Sequence, residues 1–246
     1  DLLRIFGSDK ITVWMERMGL KDDEPIEHGW ITSAIENAQK KVEGHNFQQR
    51  KNLLEYDDVM NYQRKGVYEV RRRALAGDAV RQLLDEAVSG VVEDIMDDYA
   101  PEGVNPEQWD VEALRQNLEK VFTLRWTDTP EAIRDHSRAE LRRRMLDEAA
   151  ALLDARVAML GEDRFDRLSR NLILQFTDQL WKDHLLAIDR LRQGVGLRGY
   201  GQRNPLLEYK REAFHMYLMM SASRDEAVLS RLLRAQAEEV PAEQPA

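Results

Sequence analysis

The chain has 246 residues, a formal net charge of −9 at pH 7 and no cysteine. Its 43% hydrophobic and 33% charged residues suffice for a core, while no run approaches the roughly 18 apolar residues that span a bilayer. Disulfides and thiolate metal sites are excluded, and an acidic surface argues against nucleic acid as a partner, because phosphate contacts need clustered positive charge.

The start, Asp1-Leu2-Leu3-Arg4, has no initiator Met and no basic-then-apolar leader. Its acidic first residue reads as the beginning of a fragment of something longer. No β-type alternation is sustained, and Pro25, Pro101, Pro106, Pro130, Pro205, Pro241 and Pro245 punctuate the chain, so the fold class is all-α. Asp1 to Leu20 reads as a short amphipathic segment and Lys21 to Trp30 as a loop. Ser33, with Glu36 three residues on, has the form of a capping box. Ile35, Ala38, Val42, Leu53, Tyr56, Met60 and Val67 then keep a helical spacing, and the next stop is Ala76-Gly77. One helix of about 44 residues would be about 65 Å long. That is more usual for a strut than for an element of a compact globule. Gly44 lies inside it and should loosen it by roughly 1 kcal/mol.

Two shorter helices are expected over 79–99 and 106–122. Thr129-Pro130-Glu131 is a start signal, with a capping residue, proline at the first helical position and then an acid. The helix it opens is expected to run to about Leu160. Phe165, Leu168, Leu172, Phe176 and Leu180 form an apolar stripe extended by Ile188 and Leu191. A turn with four glycines, Gly194 to Gly201, follows, and Asn204-Pro205 restarts a helix. Leu206, Tyr209, Ala213, Met216, Tyr217 and Met220 give that helix its apolar face, so the two should pack as an antiparallel αα-hairpin. From about Ala235 the chain is Ala, Glu, Gln and Pro and reads as a disordered tail. The organisation expected is 1–30, a leading segment and linker; 31–77, the long helix; 78–161, a small helical subdomain; 162–235, the hairpin; and 236–246, the tail.

The glycine-rich turn carries the most information. Glycines allow a tight or flexible turn, yet this one also bears Leu197 and Tyr200. Arg190, Arg192, Arg198 and Arg203 surround it, and no acid falls between Arg190 and Leu207. It reads either as a tip that touches a partner or as a turn whose tyrosine folds back on its own protein. It is not a phosphate loop, because no Gly-Lys-Ser/Thr ending and no preceding strand accompany it.

Glu55, Asp57 and Asp58 cluster on the long helix beside Arg50, Lys51, Arg64 and Lys65. Only Glu55 and Asp58 share a face. Salt bridging and contact with neighbouring domains are the better reading, with divalent-metal binding as the competitor. His28, His45, His136, His184 and His215 are scattered, and His184 is expected to pack or bond locally. Arg71 to Arg73 and Arg142 to Arg144 read as solvated faces. No catalytic, cofactor or metal site emerges within the chain.

Two segments resemble the SecA family of preprotein-export motors. The first is Val42 to Arg64, centred on Asn52-Leu53-Leu54-Glu55-Tyr56-Asp57-Asp58-Val59-Met60-Asn61. The second is Leu191 to Lys210, centred on Gly196-Leu197-Arg198-Gly199-Tyr200-Gly201-Gln202. Pro25-Ile26-Glu27-His28 and Leu180-Trp181-Lys182-Asp183-His184-Leu185 support the match, which covers Asp1 to about Ala235. The departures are Gln48 and Gln49, where the family usually has an acidic and an aliphatic residue, and Gly201, where it usually has alanine.

The resemblance implies that 1–30 ends a second nucleotide-binding domain. It makes 31–77 a helical scaffold, 78–161 a helical wing and 162–235 the rest of the scaffold with a two-helix finger. The fingertip residues Leu197, Arg198, Gly199, Tyr200, Gly201 and Gln202 would contact preprotein and the SecYEG channel. Arg50, Tyr56, Asp57, Asp58 and Trp181 would contact upstream motor domains. ATP and magnesium would belong to those domains, not to this chain. Anionic membrane lipids and a second copy of the protein would be further partners. The location implied is cytoplasmic, peripherally bound to the cytoplasmic face of the inner membrane. The alternative function is a stand-alone helical adaptor without ATPase activity.

Overall fold

A computed structural model describes residues 29–77, 79–198 and 204–236. The leading segment and loop, the centre of the glycine-rich turn (199–203) and the tail beyond Gln236 lie outside the described residues. Among the described residues there are seven α-helices and one short 3-10 turn, Pro106–Gln108, and the class is all-α. The helices are α1 (Gly29–Ala76), α2 (Val80–Tyr99), α3 (Val111–Phe122), α4 (Pro130–Arg134), α5 (Arg138–Leu160), α6 (Glu162–Arg198) and α7 (Pro205–Arg234).

The chain divides into two units, 1–58 and 59–246, and α1 contributes to both. In the first unit, α1 rests on its own backbone ladder and on side-chain pairs one turn apart. Gln48 donates to Asn52 at 2.9 Å, and Gln49 meets His45 at 3.0 Å. Phe47 and Leu54 recur seven residues apart, on one face, and are 62% and 63% exposed.

The second unit has one contiguous core. α2 buries Leu84, Val92 and Met96, α3 buries Leu114, Leu118 and Phe122, and α5 buries Leu141, Met145, Ala149 and Leu153. Phe165 and Ile173 of α6 and Leu229 and Leu232 of α7 enter the same core. The helices over 78–161 and the base of the hairpin therefore share one core. Arg234 of α7 also donates to the Lys120 carbonyl at the end of α3, where a cation satisfies orphan helix carbonyls.

Several local expectations are corrected. Ser33 does not begin α1, which starts at Gly29. The segment expected as one helix over 106–122 is a 3-10 turn followed by α3, whose Asp110 side chain accepts from the Ala113 amide. The Thr129-Pro130 start is real, but α4 stops at Arg134. A second start follows at Ser137, where Ser137 and Glu140 form a reciprocal capping box. Gly161 alone links α5 to α6, at φ 80°, a conformation that favours glycine. Gly194 and Gly196 are helical, because α6 runs to Arg198, and Val195 is buried. Gly44 interrupts nothing in α1.

The arginine runs are mostly not solvated. Arg142 and Arg138 both grip Glu93, at 2.6 and 3.0 Å, holding its carboxyl below the usual range, Arg142 most strongly. Arg144 bonds Glu148 and Asp128, both at 2.8 Å, and lies 4.1 Å over the Trp126 ring. Trp126 in turn donates to Glu148 at 2.6 Å. Only Arg143 in that run is exposed. In the other run Arg71 pairs with Asp178 of α6, Arg73 pairs with Glu86 of α2 at 2.8 Å, and Arg72 pairs locally with Glu69.

Candidate functional site

The site with the most constrained chemistry is the joint where α1 meets the hairpin. Gln63 projects from α1 and is 2% exposed. Its amide nitrogen donates to the Ala213 carbonyl of α7 at 2.9 Å. Its amide oxygen lies 2.8 Å from Nε2 of His184 on α6. An amide oxygen only accepts, so Nε2 must carry the imidazole proton. One side chain thus ties three helices through two buried hydrogen bonds, and a one-residue slip of any helix would break them.

The surroundings hold that geometry. The Trp181 ring stacks on His184 with centroids 5.5 Å apart, and Tyr217 meets it edge-on at 6.2 Å. Burial pushes the His184 imidazole below its ordinary value. Gly66, one turn from Gln63 on α1, sits under the Tyr217 hydroxyl, where an added Cβ would collide. Glycine there lets α1 and α7 approach closely.

His184 therefore packs and bonds within its own chain, as its sequence setting suggested. Trp181 is buried at 9% exposure beside it. Arg50, Asp57 and Asp58 are exposed on α1, and Tyr56 is half-buried. These four belong to the first unit, and Gln63 belongs to the second. Leu197 and Arg198 end α6, whereas Gly199, Tyr200, Gly201 and Gln202 lie outside the described residues. Nothing in the sequence marks Gln63, because a glutamine in a polar helix carries no burial signal. The 150-residue separation from Ala213 hid its partner.

Among the described residues, no group of three or more His, Asp or Glu side chains is placed to hold a metal ion. None of their helices is long and apolar enough to cross a membrane.

Residues 25–236 match the SecA Wing and Scaffold domain family. Protein translocase subunit SecA from Carboxydothermus hydrogenoformans is 44% identical over 234 residues, 95% of this chain and 27% of the relative. The namesake from Pelotomaculum thermopropionicum is 43% identical over 234 residues, covering 95% and 26%. That from Syntrophus aciditrophicus is 42% identical over 236 residues, covering 96% and 28%. This chain thus spans about a quarter of the length of these relatives. With the helical order, the shared core and the match over nearly its whole length, the chain belongs to the SecA wing and scaffold domain family.

Proposed function

We propose that this chain is the scaffold, wing and finger portion of a preprotein translocase. In this reading it couples ATP hydrolysis in motor domains outside the chain to movement of unfolded preprotein through a SecYEG-type channel. The observation that supports it is the Gln63 joint. A helix hydrogen-bonded to both arms of a hairpin passes an axial displacement to them with little internal loss. The nucleotide and its magnesium belong to the motor domains. Arg50, Tyr56, Asp57 and Asp58 are the residues assigned to contact those domains, while Trp181, 9% exposed against His184, acts through the joint. The tip around Tyr200 offers an aromatic ring among arginines to the channel mouth and the moving chain, and the same cations suit anionic lipid at the cytoplasmic face of the membrane.

The test is Tyr200→Ser in a complete translocase carrying this chain. Preprotein transport into vesicles should fall about tenfold while basal ATP hydrolysis changes less than about twofold, since the substitution removes a contact and no nucleotide ligand. Transport at the unsubstituted rate would sink the finger role.

A further inference from the structure

Asp225 of α7 stands between two cavities. The smaller, of about 90 Å³, is lined by Glu86 of α2 and by Arg224 and Asp225, with Val70 of α1 and Ile173 of α6. The larger, of about 450 Å³, is lined by Asp94, Asp97 and Asp98 of α2 and by His215, Asp225 and Glu226 of α7. Arg224 donates to Asp225 through Nε and Nη2, both at 2.9 Å. Neighbours in a helix do not face each other, so this fork closes by folding the two side chains together. It keeps a largely buried arginine, with a side chain 13% exposed, inside one helix. There the pair joins α7 to no other element.

Most of the other charges near Asp225 are already engaged. Arg73 of α1 holds Glu86 at 2.8 Å. α6 presents the apolar Ile173. Asp97 is held by Arg138 of α5 at 2.6 Å, and Glu226 stands 3.9 Å from Lys120 of α3. Glu93 on α2 takes both Arg138 and Arg142. Asp94 and Asp98 pair with no cation among the described residues. The two carboxyls that line the small cavity with Arg224 are pushed in opposite directions. Burial raises Asp225 against the pull of Arg224, and the charge of Glu86 adds to the rise. The hydrogen bond from Arg73 holds Glu86 down. Falling pH therefore neutralises Asp225 while Glu86 still carries its charge. A neutral carboxyl is the weaker partner for a guanidinium, and a carboxylate can accept from two arginines at once.

We propose that Arg224 is a two-position clamp between the hairpin and the wing. With Asp225 charged it stays on Asp225 inside α7, and with Asp225 protonated it crosses the small cavity to Glu86 of α2. The second position adds a charge-assisted bond between α7 and α2 and tightens their seam in acid. Asp94 acts in the same sense: burial and then Asp98 push it up. Its protonation lowers repulsion across the larger cavity but leaves Arg224 in place. By linkage, Asp225 stabilises the fold below its unfolded value, about 3.9. That contribution is lost as pH rises through the raised folded value. The clamp is internal to the chain and depends on no partner and on no role in transport.

The direct probe is the Arg224 Nε–H signal in nuclear magnetic resonance of the 246-residue chain, identified by its loss in Arg224→Lys. It should move in one step between about pH 7.5 and about pH 4.5, above the ordinary aspartate range. In Asp225→Asn, which fixes the neutral form with little change of shape, it should sit at the acid position throughout. In Asp94→Asn and in His215→Gln it should move as in the unsubstituted chain. In Glu86→Gln it should no longer reach the acid position. The seam is read by hydrogen exchange of α2 amides, corrected for the chemical rate at each pH. At about pH 7.5 exchange should be about threefold slower in Asp225→Asn than in the unsubstituted chain, and Glu86→Gln should remove that difference. An Arg224 signal that ignores pH in the unsubstituted chain would overturn the clamp without recourse to any variant. The same acid position in Glu86→Gln would overturn Glu86 as the second partner, and equal exchange in Asp225→Asn would overturn the tightening of the seam.

Discussion

The wing core and the hairpin joint hold helices together by opposite means. The wing excludes water with leucine, valine, methionine and phenylalanine from five helices, and its polar pairs lie at the rim. The joint places a glutamine and a histidine where an apolar pair would pack and satisfies them with two directed bonds. Apolar burial is non-directional and scales with area. Buried hydrogen bonds add little net stability but penalise every arrangement that leaves them unmade. The wing is thus built for stability, and the joint for a fixed register between a long helix and the hairpin it carries.

That contrast can be broken by mutation. Phe122 is fully buried in the wing, so Phe122→Ala should cost about 3–5 kcal/mol through lost transfer energy and a cavity. Chemical denaturation measures it, and a loss under about 1 kcal/mol would mean the wing core is not the main store of stability. At the joint, Gln63→Leu keeps the bulk and deletes both bonds, so it should cost about 1–3 kcal/mol, the penalty for stranding buried polar partners. If it matches Phe122→Ala, the division of labour drawn here fails.

The smallest effect is a pH dependence. An unfolded histidine titrates near 6.5, and burial holds His184 lower in the fold. Below the unfolded value the unfolded chain takes up the proton first, so this group's stabilising contribution is present above it and declines as pH falls towards the folded value. Asp225, pushed up by burial, works in the other sense: its contribution is present at low pH and is lost as pH rises through its folded value. The comparison must therefore be differential. Between about pH 7.5 and about pH 5.5, Tm should drop more for the unsubstituted chain than for His184→Gln. Parallel drops would show that His184 is not the group responsible.

Ser33 and Ser137 show how far the sequence could be read. Both begin a Ser-x-x-Glu tetrad, Ser33 to Glu36 and Ser137 to Glu140. Only the second is a cap, because only there has the chain just left a helix. At the first the preceding residues are already helical. A capping box satisfies amides that would otherwise be orphaned, so its effect depends on what the upstream backbone is doing, which four residues do not record. The arginine runs teach the same lesson. Arg142 and Arg144 read as solvated because their partners, Glu93 and Asp128, lie 49 and 16 residues away.

By itself the sequence determined the helical class, the long helix α1, the antiparallel hairpin and the kinship carried by two idiosyncratic segments. Periodicity, proline placement and motif order are local properties, and local properties survive in a string of letters. Only the tertiary structure decided that the wing and the hairpin base share one core, that Gln63 joins three helices, and that Glu86 lines one cavity with Arg224 and Asp225. Those outcomes depend on which distant surfaces meet, and burial is a property of the pair that meets rather than of either segment alone.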